Sequence, residues 1–405
     1  MIDANTREMP RGSGMPAESL RIDSLDGLRG IAAFAVLVFH ACKMLQLFGP
    51  DGLYEMVPGV SAVIVFYVIS GTVLSLSPLK YVGGGEGDTG KAVATEKQRT
   101  GYDWFGYYPK RVVRLCVPLA VAVALGVMAA FVADAAGLDP RVDKPIDWAT
   151  GIEDVARQVL MQFDVLFNPT DGQSFTDGNR FVRANSPTWS MSWELWFSLA
   201  LPFVVFIVSR TRRIRVGVCI CILLVLFADL TGYFPLRFCV MFVVGAYIAR
   251  KASRIVRWRM PVWLLAVLLL LSLGAVELSG YFISGGTVGD GVLSSGGEGQ
   301  LLAAVSIALG DIACMCLVIL VMARGFLNRF LSVRPVRFLG RISYSLYLTH
   351  VLVVGSLGPL LPRFGLSHPL AVAIVVILVS LGFAWVFWRF VEKPSIDWAR
   401  SVGRR

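Results

Sequence analysis

Leu28-Arg29-Gly30-Ile31-Ala32-Ala33-Phe34-Ala35-Val36-Leu37-Val38-Phe39-His40 carries two ionisable side chains with ten uncharged residues between them. At about 1.5 Å of rise per helical residue, an Arg29 at one membrane face carries His40 about 16 Å inward, near the middle of a hydrocarbon layer about 30 Å thick. A titratable group at that depth is costly and usually marks a pathway or a reaction. The chain has only three histidines, so its placement here is informative. On position alone two roles stay open: a neutral imidazole that moves protons, or a ring hydrogen-bonded between helices for packing.

Working outward, the composition agrees with a membrane span. Of the 405 residues 56% are hydrophobic and 16% charged, far from a soluble globular balance. Long apolar runs occur at 28–48, 58–79, 115–136, 187–208, 214–232, 235–250, 261–283, 300–323, 342–361 and 369–391. The fold expected is therefore all-α and polytopic, with about ten transmembrane helices.

Cationic residues are retained on the cytoplasmic side of spans. With both termini cytoplasmic, 30 of the 38 Lys and Arg fall inside and 8 outside. Arg210, Arg212, Arg213 and Arg215 form one of the inner clusters. The bias accounts for the net charge of +10, so it gives no reason to expect a nucleic-acid partner. The layout expected is a cytoplasmic tail at 1–27, a membrane domain at 28–391 with an outer loop at 137–186, and a cytoplasmic tail at 392–405. Residues 1–27 are polar and show no cleavable signal. Within the outer loop, Ile152, Val155, Ala156, Val159, Leu160 and Phe163 recur at helical spacing, and Asn168 to Asn185 reads either as plain loop or as an acceptor-binding rim. The Gly-rich segments 82–91 and 285–300 read as loops. The seven cysteines lie in or beside spans and read as packing residues, with no metal site expected.

Glu194 is the second candidate for chemistry. In Ser186-Pro-Thr-Trp189-Ser-Met-Ser-Trp193-Glu194 it enters about 10 Å from the outer face, the level His40 reaches from the other side. A carboxylate there is able to orient the imidazole or to sit in a structural ion pair. Trp189 and Trp193 fit an interfacial belt or the lining of a substrate path. Lys110, Arg111 and Arg114, before the third apolar run, suit a phosphate-bearing donor, although topology alone also calls for cations there. Tyr347 and His350, in Ser343-Tyr-Ser-Leu-Tyr347-Leu-Thr-His350, form a further polar stripe with packing and substrate-lining roles both open.

Taken in order, these stretches resemble the membrane-bound acyltransferase 3 family. The Arg29-to-His40 spacing, Val63 to Gly71, Trp189 to Glu194, Ser343 to His350 and Phe390 to Pro394 are each similar to its motifs, with Lys110 standing where the family has an arginine. The resemblance implies transfer of an acyl group, often acetyl, from cytoplasmic acyl-CoA to a hydroxyl of an extracytoplasmic saccharide or glycolipid. It implies His40 as catalytic residue, Arg29 as its companion, and Arg111 and Arg114 within the donor-binding motif. Acyl-CoA is a substrate in this reading and no permanently bound cofactor is expected. The expected setting is the lipid bilayer of a bacterial cytoplasmic membrane, and oligomeric state is left open. A competing class is a proton-coupled transporter or flippase with His40 and Glu194 as a relay. The lack of visible internal repeats weighs against it.

Overall fold

The computed structural model describes residues 22–47, 59–82, 102–135, 189–231, 233–284, 298–323 and 325–402. The outer loop 137–186 with its expected amphipathic helix, the two Gly-rich loops and the first tail fall almost entirely outside these residues. The described residues are helical without a strand. In chain order they form α1 (Asp23–Met44), α2 (Gly59–Val82), α3 (Trp104–Ala135), α4 (Trp189–Leu199), α5 (Leu201–Arg210), α6 (Ile214–Thr231) and α7 (Phe234–Arg257). Then follow α8 (Val262–Ser284), α9 (Glu298–Met322), the short α10 (Phe326–Leu331), α11 (Arg334–Leu360), α12 (Pro369–Phe387) and α13 (Lys393–Val402). A π-helical turn, Trp388–Glu392, joins α12 to α13.

Each of the ten apolar runs coincides with a helix or, for 187–208, with the bent pair α4 and α5. Among the described residues seven helices are long and apolar enough to cross a membrane, and eight spans result if the bent pair counts as one. The other two long helices are α3 and α7, at 32 and 24 residues. α3 has its cations Lys110, Arg111 and Arg114 before the uncharged apolar run 115–132, whereas α7 carries Arg237, Arg250 and Lys251 within its length. A helix that faces protein can hold such groups where a lipid-facing one cannot.

The bundle core is built on two helix pairs. α2 packs along α7, and α1 along α11. Glycines permit both approaches: a Cβ on Gly71 would collide with the Phe242 carbonyl, and one on Gly30 with the Gly340 amide. Without a hydrophobic drive between helices in lipid, such close backbone contact supplies the attraction.

The 60° bend between α4 and α5 has a local cause. Pro202 has no N–H to give the Ser198 carbonyl. The Phe203 amide donates instead to Ala200 at 3.0 Å, which frees the Leu199 carbonyl as well. Tyr107 donates its hydroxyl to the Ser198 carbonyl at 3.0 Å and Tyr108 donates to Leu199 at 3.2 Å. Both freed acceptors are thus satisfied inside the bundle, as a water-free layer demands.

Candidate active site

His40 and His350 meet because of helix register. Gly30 on α1 lies against Gly340 on α11, and Met44 near the other end of α1 lies by Gly355, so the two helices run parallel, and each carries its histidine ten residues beyond its glycine. That is about 15 Å along both axes. His40 Nδ1 lies 3.2 Å from His350 Nε2. His40 Nδ1 also lies 2.9 Å from the Val36 carbonyl, and His350 Nδ1 lies 3.0 Å from the Leu346 carbonyl. His350 is fully buried, while His40 is half-buried.

Beside His350, with ring centroids 5.9 Å apart, stands Tyr347. Its hydroxyl is 2.6 Å from Ser190 Oγ. The adjoining cavity, about 100 Å³, is lined by Tyr347, Ser190, Glu194, Arg111, Arg114 and Glu392 among others. Within it Arg111 donates from Nη2 to Glu194 Oε1 at 2.7 Å and from Nε to Ser198 Oγ at 2.9 Å. Ser70 donates to the same carboxylate oxygen at 3.2 Å. Glu194 and Ser198, one turn apart on α4, thus meet a single guanidinium.

A second, wider cavity of about 530 Å³ opens at the end of the bundle where α1, α11 and α13 begin. Arg29, Arg114, Arg337, Arg341, Lys393 and Arg400 line it, against the carboxylates of Asp26, Glu392 and Asp397. Cations outnumber anions two to one. Arg29, Arg114, Glu392 and Val73 line both cavities, so the wide one narrows into the small one at those side chains. At that junction Arg29 donates from Nη2 to the Gly340 carbonyl at 3.1 Å. Its Nε is buried with no hydrogen-bond partner among the described residues. Ser345 donates to Glu392 at 2.5 Å. Arg114 makes no ion pair among the described residues.

Matched against families of known proteins, residues 22–389 fit a family model described as an acyltransferase domain. The chain belongs to the acyltransferase 3 family. No curated protein and no solved structure matches it significantly.

For a membrane acyltransferase, the structure sorts the expected site residues into two groups. His40 and His350 come together at one place, and Arg29, Arg111, Arg114, Glu194 and Tyr347 line the cavities. The expected pairing of Glu194 with His40 is not what the geometry gives: Arg111 and Ser70 hold that carboxylate, and the histidine's partner is His350. Arg111 is likewise committed, since a 9% exposed guanidinium on a carboxylate has little left for a phosphate. Lys110 lines neither cavity. Trp193 stacks on Phe197 with centroids 6.0 Å apart, and the side chain of Trp189 lies outside the described set. Sequence reasoning gave no role to Glu392, Arg337, Arg341, Lys393 or Arg400. Of these, only Glu392 and Lys393 lie in the stretch Phe390 to Pro394 that is similar to the family's ending.

Proposed function

We propose that this acyltransferase is an integral-membrane O-acyltransferase. In this reading it moves an acyl group, such as acetyl, from cytoplasmic acyl-CoA to a hydroxyl of an extracytoplasmic saccharide, glycolipid or glycosylated metabolite. One observation carries the reading: a cation-rich cavity narrows, through shared residues, to Tyr347, whose ring lies beside His350 with centroids 5.9 Å apart. The wide cavity has the size of a nucleotide pocket, and its excess of Arg and Lys suits phosphate oxygens. The small cavity has room for a linear arm and not for a sugar ring. Such an arm, passing Arg29 and Glu392, would bring a thioester toward His40, while the half-buried face of that ring receives the hydroxyl. The hydroxyl oxygen forms the new C–O bond, the C–S bond breaks, and His40 passes the hydroxyl proton to the departing thiolate. Donor phosphates in this scheme rest on Arg114, Arg341 and Lys393 more than on Arg111.

The test uses the whole chain in lipid nanodiscs with radiolabelled acetyl-CoA and extracted envelope glycans and glycolipids. Wild-type protein is expected to release CoA and label an acceptor. The His40→Ala protein should bind acetyl-CoA and label nothing. Turnover near wild type in that variant removes the mechanism, and acceptor movement without acyl consumption marks a transporter instead.

A further inference from the structure

The hydrogen bonds around the histidine pair dictate where the protons sit. The Leu346 carbonyl only accepts, so the His350 nitrogen 3.0 Å away, Nδ1, carries a hydrogen. A neutral His350 then has a bare Nε2. The Val36 carbonyl likewise only accepts, so His40 carries its hydrogen on Nδ1. That same N–H lies 3.2 Å from the bare Nε2 of His350, and a second N–H at this point would set two donors face to face. The arrangement is a relay with one direction: His40 Nδ1–H shared between Val36 and His350, and His350 Nδ1–H given to Leu346. No hydrogen bond among the described residues reaches His40 Nε2.

We infer that His350 is a positioning residue for the transfer, holding His40 in the Nδ1-protonated tautomer so that Nε2 faces the acceptor hydroxyl as the base. This rests on the acyltransferase reading proposed above and adds the residue that orients its histidine. The Val36 carbonyl belongs to the helix of His40 itself and fixes the ring only while the ring keeps one rotamer. His350 comes from another helix, so it resists the half-turn about the Cβ–Cγ bond that would carry Nδ1 away. When Nε2 takes the hydroxyl proton, the Nδ1–H of the resulting imidazolium strengthens its donation to His350. A carboxylate does this work in other catalytic arrangements; here Glu194 is held by Arg111, and a neutral imidazole takes the place.

Only three histidines occur in the chain, so a histidine-labelled sample can be read nitrogen by nitrogen. His368 is exposed and caps α12, outside the site. His368→Gln therefore leaves a two-histidine protein with basal activity unchanged. Solid-state ¹⁵N spectra of that protein in lipid, without substrate, should show both rings protonated on Nδ1 alone. Adding His350→Leu should leave His40 distributed over both tautomers. It should lower kcat at least about tenfold, with KM for acetyl-CoA within about twofold. His350→Gln, whose amide oxygen reaches about the place of Nε2, should restore most of kcat. A wild-type His40 protonated on Nε2 overturns the inference whether or not any variant folds. A single Nδ1-protonated His40 signal in His350→Leu overturns it too, because the Val36 carbonyl would then suffice. The spectra need no turnover, so a wild type that transfers no acyl group defeats the proposed function and leaves the tautomer result intact.

Discussion

Replacing Gly30 by alanine should damage the site from about 15 Å away. A Cβ at Gly30 would press on the Gly340 amide and lie 2.7 Å from the Leu339 carbonyl carbon. Those atoms are backbone of α11 and cannot swing aside as a side-chain end can. Ordinary contact begins at 3.4 Å and the Gly340 nitrogen lies nearer still than the Leu339 carbon, so α11 must retreat by about 1 Å. If the helices part as rigid bodies, the 3.2 Å separation of His40 from His350 grows to about 4.2 Å, beyond hydrogen-bond range. Overpacking of this kind costs about 1–3 kcal/mol, offset by up to about 1 kcal/mol from the better helix propensity of alanine. The expected outcome is a modest fall in unfolding temperature with a loss of about tenfold in kcat, read by thermal denaturation and acyl transfer on the same nanodisc preparation. Gly382→Ala is the control, because nothing lies within 4 Å of the added carbon, and it should be neutral or slightly stabilising. Unchanged stability and kcat in Gly30→Ala would show that the glycine contact does not set the register of α1 on α11. A fall in stability with kcat intact would refute the link from that register to the histidines.

Two further outcomes follow from the charges. Arg237 holds Asp311 through two bonds of 2.6 Å and Asp229 at 3.3 Å, all three side chains almost without exposure. Arg237→Leu should therefore cost about 3–5 kcal/mol, while Leu at all three positions should recover much of it; an unchanged melting temperature in the single variant would dismiss the cluster as a structural element. In the wide cavity, Arg341→Ala with Lys393→Ala should raise KM for acetyl-CoA at least about tenfold, since one charged hydrogen bond alone is worth about 1.5–3 kcal/mol. Lys110→Ala should leave it within about twofold, and an unmoved KM in the double variant would reduce those cations to orientation signals.

Why the spans were legible and the site only half so comes down to what a single chain encodes locally. Twenty apolar residues in a row announce a membrane helix without reference to any partner, and α1, α2, α9 and α12 could be read that way. The depth of His40 followed from rise per residue alone. Its partner did not, because nothing local relates residue 40 to residue 350. A trace of the register was present in the equal spacing of Gly30 to His40 and Gly340 to His350, yet two glycines mark a contact only once both helices are known to pack. Arg111 was drawn toward phosphate by its basic neighbours, whereas charge sign reports the face of the membrane and not the depth. The bend at Pro202 is visible in sequence as a proline, but the direction of the bend is not. Glu392 was hidden by the π-helical turn, which shifts the helical phase and is a common device at functional sites.

The charges divide by what neutralises them. In a layer of low dielectric an isolated cation is expensive, and Arg237 and Arg111 each sit on a carboxylate supplied by another helix. Along the two joined cavities that rule is relaxed. Arg114 and Arg341 are exposed and make no ion pair among the described residues, Arg341 lying over the Trp388 ring at 5.8 Å, while half-buried Arg29 reaches Asp26 at 3.6 Å and keeps a buried Nε without a hydrogen-bond partner among the described residues. Among the described residues the two buried arginines are thus compensated from within the bundle, while the wide cavity carries six cations against three carboxylates. In the proposed reading the donor's phosphates supply the missing negative charge there, arriving and leaving with each turnover.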